Sequence, residues 1–277
     1  MNNLREQFSE AIKQASERRR PVRIRASGSK DFYGGVPKGE VLDTTRYTGI
    51  VDYAPEELVI TARAGTPLAE IEAALAEKDQ MLPFEPPHFG PRATLGGCVA
   101  SGLSGPRRAY AGSVRDFVLG AKIMDGRGDE LKFGGQVMKN VAGYDVSRLM
   151  VGSMGTLGLI MEVSLKVLPK PAHEVTLQFE MNQDHAIAAM NRWAGEPLPI
   201  SATCFHDHVL TLRLSGAATA VQAAQQKLGG QVLAAGEDKL LAARVAVLLT
   251  EQGLGGRGVD LRDRLHRFNT ERGQRAD

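Results

Sequence analysis

The alternation of apolar and polar positions predicts a chain that contains both helices and strands. Leu4, Phe8 and Ile12 recur at helical spacing, which predicts an amphipathic helix over residues 3–19. Runs rich in β-branched residues then predict strands at 22–25, 41–43, 50–52 and 58–63. Thr66 and Pro67 are typical of a helix start, with Thr66 as the N-cap residue and Pro67 at the first helical position.

A second region of the chain carries a different order of elements. Two alternating runs flank the DGRGD turn at 125–129, and LIMEVSLKVLP at 159–169 predicts a strand. Beyond Pro169 and Pro171, the order β-α-β-β-α-β over residues 174–235 is typical of a ferredoxin-like domain. We therefore expect an α+β protein with a first domain over 1–171, a small cap over 172–236 and an atypical tail over 237–277.

Glycine is concentrated in the stretch TLGGCVASGLSGPRRAYAGSVRD at 94–116. A packed core has no need of so many residues without side-chain bulk, because glycine destabilises helix and strand interiors. Exposed backbone N–H groups in such a run can form an anion-binding concavity, which favours a phosphate-bearing ligand. The alternative is a glycine-rich β domain with many tight turns.

Composition restricts the function classes. The chain has 277 residues, a net charge of +2 and 43% hydrophobic residues, which is typical of a soluble globular protein and does not favour a nucleic-acid partner. The two cysteines, Cys98 and Cys204, are far apart in sequence, so no iron–sulfur or zinc site is predicted. The charged N-terminus and the short apolar run at 240–250 predict a cytoplasmic protein with no membrane span.

Two polar groups leave alternatives open. His206 and His208 flank Asp207 at a predicted hairpin tip, where a solvated turn is favoured over a metal site. Arg115 and Asp116 lie in an apolar context, where they either orient a loop or contact a ligand.

Five motifs in order carry a family resemblance over residues 20–170. They are a Ser/Gly loop after an early strand, AGT before a helix, TLGG, a small-residue run that ends in GSVRD, and GSMGTLGLI. This set resembles the PCMH-type FAD-binding domain of the vanillyl-alcohol oxidase/p-cresol methylhydroxylase superfamily. Within it, the segments LPFEPPH, SGPRRAYAGSVRDFVLGAKI and FGGQVMKNVAGYDVSRLMVGS look closest to the FAD-binding subunits of bacterial glycolate oxidases.

The resemblance implies two α/β subdomains that clasp an FAD. It implies that backbone N–H groups of the 25–30 loop and of the 94–105 stretch hold the pyrophosphate. Because residues 25–35 contain no histidine for covalent attachment, the FAD is predicted to be non-covalent. The implied cofactor-binding residues are Arg25, Ser27, Gly28, Ser29, Pro86, Thr94, Gly96, Gly97, Ala100, Ser101, Gly102, Gly105, Ser113, Arg115, Asp116, Gly152, Gly155, Thr156, Gly158 and Ile160.

The family also implies an activity and partners. Its members are oxidoreductase subunits that oxidise glycolate, a 2-hydroxy acid, to glyoxylate together with a larger flavin-containing catalytic subunit and an iron–sulfur subunit. Peripheral association with the inner membrane would come through such partners. The sequence offers no recognisable catalytic base and no metal site. Two alternatives therefore remain, a flavin-free scaffold subunit of the same complex and an autonomous flavin oxidase of another small alcohol or acid.

Overall fold

A computed structural model describes residues 2–135 and 143–234 of the chain. The chain divides into two compact units. The first unit comprises residues 1–103 and 113–169, and the second comprises residues 104–112 and 170–277. The predicted tail at 237–277 and part of the FGGQVMKNVAGYD motif lie outside the described residues.

Helices and strands alternate along the described chain. The helices are α1 (Asn2–Glu17), α2 (Leu68–Ala76), α3 (Leu95–Ser101), α4 (Arg108–Ala111), α5 (Val114–Phe117), α6 (Val146–Leu149), α7 (Gln183–Ala194) and α8 (Ala218–Leu228). The strands are β1 (Val22–Arg25), β2 (Glu40–Asp43), β3 (Ile50–Ala54), β4 (Val59–Arg63), β5 (Gln80–Met81), β6 (Val118–Met124), β7 (Glu130–Gly134), β8 (Leu159–Lys166), β9 (Leu168–Pro169), β10 (His173–Glu180), β11 (Ile200–His206), β12 (Val209–Gly216) and β13 (Gln231–Val232). None of these helices is both long enough and apolar enough to cross a bilayer.

The first unit contains a five-stranded sheet in the order β3-β4-β8-β6-β7, with antiparallel neighbours throughout. The predicted hairpin about the DGRGD turn is confirmed as the β6–β7 pair. Strand β4 is buried at four of its five positions, as expected for a strand inside a sheet. Helix α2 buries Leu68, Ile71 and Leu75, whose i, i+3 and i+7 spacing places them on one face.

A second layer of the first unit is built from α1 and the parallel pair β1–β2. Phe8 of α1 and Leu42 of β2 share a core cluster with Tyr47, Met124, Leu159 and Met161. The rings of Phe8 and Tyr47 meet edge to face with centroids 6.0 Å apart, a favourable aromatic geometry. The apolar face predicted for the first helix is therefore the face that packs against this core cluster.

The described part of the second unit is a four-stranded antiparallel sheet in the order β11-β12-β10-β13 with α7 and α8. If β10 to β13 are numbered 1 to 4, the strand order read from β13 is 4-1-3-2. This is the ferredoxin-like arrangement. One sheet face packs on the helices through Leu177, Leu210, Leu212 and Leu214, with Trp193 in the same cluster. The predicted ferredoxin-like order of elements is therefore observed from β10 to β13, whereas the cap with bounds 172–236 stays a prediction.

The other face of this sheet carries a buried polar network. Arg213 is only 6% exposed, and its Nε donates a hydrogen bond to Ser201 Oγ at 3.0 Å. The Ser201 and Ser215 hydroxyls lie 2.6 Å apart, and Ser215 donates to Glu174. Arg107 of the 104–112 segment pairs with the same Glu174 carboxylate at 2.7 Å. The network ties this short segment to the sheet.

Two local expectations differ from the structure. Thr66 is not the N-cap of α2, because Pro67 occupies that position and its carbonyl accepts from Glu70 and Ile71. The Thr66 hydroxyl instead accepts a hydrogen bond from the Gly49 backbone N–H at 2.9 Å. In addition, the glycine-rich stretch contains a regular helix, α3, which the sequence pattern did not predict.

Candidate functional site

A cavity of about 480 Å³ lies within the first unit. Its walls are β1, the following loop at 26–39, both ends of α3, and the segment 154–160 that leads into β8. Cavities of this size are typical of small-molecule and cofactor sites. Three of the sequence motifs, far apart in the chain, therefore meet around one space.

The loop at 26–39 is held by a cluster of charges. Asp31 accepts ion pairs from Arg23 at 3.1 Å and from Arg25 at 2.9 Å. Gly28 has φ of +73°, and a β-carbon there would come within 2.2 Å of the Arg25 guanidinium. Glycine at position 28 therefore lets the loop fold back over its own ion-pair cluster.

Successive donors of this loop are free of internal partners. Across the described residues, the backbone N–H groups of Ser27, Gly28, Ser29 and Lys30 have no hydrogen-bond acceptor in the protein. The Lys30 ammonium nitrogen is buried and also has no hydrogen-bond partner. Because native proteins rarely bury an unpaired donor, the buried Lys30 ammonium indicates that an acceptor is supplied from outside the chain, and the N–H groups of residues 27–30 are free to bind the same acceptor.

Helix α3 contributes to the wall in a different way. Thr94 caps the helix, and its hydroxyl accepts from Gly97 N at 3.3 Å. The Gly96 N–H donates to the Ala64 carbonyl at 2.7 Å. The N–H groups of both glycines are therefore already used within the protein, whereas those of residues 27–30, in the other segment expected to hold the pyrophosphate, are not.

Most of the predicted cofactor-binding residues line the cavity. The residues that line it are Arg25, Ser27, Gly28, Ser29, Thr94, Gly96, Gly97, Ala100, Ser101, Gly155, Thr156, Gly158 and Ile160. The predicted residues that are not part of its lining are Pro86, Gly102, Gly105, Ser113, Arg115, Asp116 and Gly152. Gly105 falls in the second unit.

Several residues of the second group have structural partners. Asp116 accepts hydrogen bonds from the Ser113 backbone and hydroxyl at 2.7 and 2.9 Å, which is a capping box at the start of α5. These bonds hold the pKa of the Asp116 carboxyl below its ordinary value. Arg115 donates to the Val151 carbonyl at 3.1 Å. For the open question of Arg115 and Asp116, the observed contacts are those of loop-orienting residues.

Some cavity residues escaped the sequence analysis. Four loop residues line the cavity without having been predicted as site residues: Lys30, Tyr33, Lys38 and Met154. Lys30 directly follows the S-G-S of the loop, which is the signal that could have identified it. Burial lowers the pKa of Lys30 and raises the pKa of the Cys98 thiol to about 11, so Cys98 is a protonated thiol and not a nucleophile.

His206 and His208 lie at a tight turn of the second unit. Asp207 and His208 both have positive φ, 48° and 63°, and form the two-residue loop between β11 and β12. His206 Nε2 lies 3.2 Å from the Asp207 carboxylate. In the part of the chain that the structure describes, no three metal-ligating side chains come together here or elsewhere.

Comparison with known proteins agrees with this geometry. Residues 4–134 match the FAD binding domain family. Over 225 residues the chain is 53% identical to the protein named glycolate oxidase subunit GlcE of Escherichia coli, with 81% of this chain and 64% of that protein covered. It is 33% identical over 174 residues to glycolate oxidase subunit GlcD of Bacillus subtilis, with 62% of this chain and 37% of that protein covered. The chain thus spans less than two thirds of the length of either relative.

Solved structures support the fold. An alkyldihydroxyacetonephosphate synthase aligns with a TM-score of 0.63 at 17% identity, covering 88% of this chain and 54% of the synthase. At this identity the likeness concerns the fold alone. The predicted PCMH-type α+β fold and the resemblance to the FAD-binding subunits of glycolate oxidases are both confirmed. Over residues 4–134, the chain is therefore similar to the FAD binding domain family.

Proposed function

We propose that this chain is the FAD-binding subunit of a heteromeric glycolate oxidase. The complex oxidises glycolate, or a similar 2-hydroxy acid, to glyoxylate and passes the electrons through flavin to an iron–sulfur subunit. The observation that carries the proposal is the 53% identity to a protein named as a glycolate oxidase subunit. A GlcD-like flavin subunit is the proposed catalytic partner, and the complex is proposed to act in the cytoplasm or at the inner membrane surface.

The cavity of the first unit is the proposed FAD site, and its residues fit the group. The four unpartnered N–H groups at 27–30 and the buried Lys30 ammonium supply donors and positive charge for a diphosphate. The small residues Gly97 and Ala100 leave room along α3. The loop offers no histidine between residues 25 and 35, which supports a dissociable cofactor.

Bound flavin would supply the redox chemistry by accepting a hydride equivalent, while the protein binds and orients it. The described residues that line the cavity include no histidine and no glutamate, and their single carboxylate, Asp31, is held between Arg23 and Arg25. These ion pairs give Asp31 a structural role in the loop. We therefore propose that the base for substrate oxidation belongs to the partner subunit.

The proposal is tested by the visible absorption spectrum of the purified chain, expressed alone and with its partner subunits. Flavin absorption that moves to the supernatant on acid precipitation would support non-covalent FAD. Bleaching by glycolate only in the complex would support substrate oxidation on the partner. A folded, colourless chain in both preparations would overturn the proposal in favour of a flavin-free scaffold, and bleaching of the isolated chain would favour an autonomous oxidase.

A variant pair localises the flavin within this test. A Gly97→Leu side chain would project into the cavity, since a β-carbon at Gly97 meets only Thr94 Oγ1, at 3.3 Å. The matched control is Gly195→Leu in the second unit, where a β-carbon makes an ordinary 3.5 Å contact with the Arg192 carbonyl. We expect Gly97→Leu to lose its flavin and Gly195→Leu to keep it. Flavin retained by Gly97→Leu would place the cofactor elsewhere.

A further inference from the structure

The Lys30 side chain stands in an environment that penalises its charge. Its ammonium nitrogen is buried and has no hydrogen-bond partner. Lysine has a flexible stem and would reach water if the surrounding structure allowed it, because burying an unpaired ammonium is costly. The ring centroid of Phe89 lies 5.8 Å from Nζ, which gives only a modest cation–π attraction.

Neighbouring groups do not neutralise this charge. The carboxylate in the same loop, Asp31, is shared by Arg23 and Arg25 at 3.1 and 2.9 Å. The Cys98 sulfur interacts with Lys30, but burial raises the pKa of its thiol to about 11, so it is uncharged at neutral pH. The Lys30 ammonium is therefore a buried cation for which the described protein supplies no counter-charge.

The position of Lys30 defines the kind of anion that would fit. It ends the run of four residues, 27–30, whose backbone N–H groups are unpartnered and border the cavity. Consecutive N–H groups beside one cationic side chain are the arrangement that binds phosphate oxygens, with the lysine acting as a point charge. A diphosphate satisfies both sets of donors together.

We infer that Lys30 is the residue that neutralises the diphosphate of the flavin nucleotide, an inference that rests on the proposed FAD-binding function. In the flavin-free protein, the buried ammonium lowers the free energy of unfolding. Binding of the diphosphate recovers that free energy. Such a trade between stability and binding is common at functional sites. A lysine with a purely structural role would show the opposite effect on stability.

The two roles predict opposite signs for Lys30→Met, which keeps the apolar stem and removes the charge. The full-length chain is stripped of flavin, and its thermal unfolding is compared with that of the wild type. We expect the flavin-free variant to melt about 2–4 °C higher, because an unpaired buried charge has been removed. We expect its affinity for FAD to fall roughly 10- to 100-fold, the usual effect of losing a charge-assisted hydrogen bond.

Three ligands assign the effect to the diphosphate. Calorimetric titration with FAD, ADP and inorganic pyrophosphate should show a similar fold-loss for each ligand in Lys30→Met and substantial recovery in Lys30→Arg. Lys78→Met removes the same charge from an exposed site after α2 and should bind all three ligands as the wild type does.

The outcomes separate this inference from the proposed function. A wild-type chain that binds none of the three ligands would overturn both. Normal FAD binding by the wild type and equally by Lys30→Met would overturn the role of Lys30 alone. Loss of FAD affinity with unchanged ADP and pyrophosphate affinity would also overturn it, because Lys30 would then act on the flavin ring. A lower melting temperature of flavin-free Lys30→Met would assign Lys30 a structural role.

Discussion

Adjacent glycines in α3 should respond oppositely to the same substitution. Gly96 faces Ala64, the residue that directly follows β4, and a β-carbon there would lie 2.7 Å from Ala64 Cβ and 3.0 Å from Ala64 O. Gly97 borders the cavity, and a β-carbon there would meet only the Thr94 hydroxyl, at 3.3 Å. Gly96→Ala and Gly97→Ala therefore add one methyl group each to neighbouring positions of one helix, the first against the side chain and carbonyl of Ala64 and the second toward the cavity, beside Thr94 Oγ1 alone.

The magnitudes follow from these contacts. For Gly96→Ala, overpacking costs about 1–3 kcal/mol, and strain on the 2.7 Å hydrogen bond from Gly96 N to Ala64 O costs about 0.5–1.5 kcal/mol. Replacing glycine in a helix returns at most about 1 kcal/mol. The net free energy of unfolding should fall by about 0.5–4.5 kcal/mol. Gly97→Ala has the helical gain without the backbone clash, so its stability should equal or exceed that of the wild type by up to about 1 kcal/mol.

Urea unfolding of the flavin-free chain measures both effects. Far-UV circular dichroism follows both units, whereas the fluorescence of the single tryptophan, Trp193, reports on the second unit. We expect Gly96→Ala to shift the dichroism transition to lower urea and Gly97→Ala to leave it or shift it upward. Equal stability of Gly96→Ala and the wild type would refute the reasoning, since it would mean that α3 does not approach β4 as closely as described.

Three further changes test separate contacts by urea unfolding. Tyr47 donates a hydrogen bond to Glu162 at 3.1 Å, and burial raises the pKa of its phenol to about 12. The stability that Tyr47 provides is therefore present below pH 10 and is lost as the pH rises toward 12. Tyr47→Phe should be about 1 kcal/mol less stable than the wild type at neutral pH and should lose less stability between pH 10 and 12. Asp116→Ala should cost about 0.5–1 kcal/mol by removing the cap on Ser113, and this difference should vanish as the pH falls through the lowered pKa of Asp116, below 3.8. Arg213→Ala should cost about 2–3 kcal/mol, because it leaves a void and takes a donor from the buried network, and the tryptophan transition should report it.

The elements that the sequence predicted well are those whose burial follows their own periodicity. Strand β8 alternates buried and half-buried positions along its second half, and α7 buries Ala186, Ala189 and Trp193 on one face. Such patterns record which side of an element meets the core, and they fix the element type without knowledge of its neighbours. The order of elements in the second unit followed for the same reason.

Contacts between distant segments were beyond the sequence. A dense run of glycines indicates a close approach but does not show what approaches. At Gly96 the neighbour is Ala64, which follows β4, whereas Gly97 borders the cavity. Thr66 is a residue type favoured at N-caps, yet its hydroxyl accepts a hydrogen bond from the Gly49 N–H, 17 residues away in the chain. The loop sequence shows that Lys30 is charged, but only the packing of the chain around it shows that the charge is buried and unmatched.

The division of the chain has a consequence for synthesis on the ribosome. The 104–112 segment belongs to the second unit although residues of the first unit both precede and follow it. Arg107 emerges 67 residues before its partner Glu174, and α4 must wait for β11, the strand it packs against. Because proteins fold from the N-terminus as they are made, the nascent chain can complete the first unit before β11 has been synthesised for α4 to pack against. The second unit is thus an assembly of early and late segments, and no single cut of the chain would release it whole.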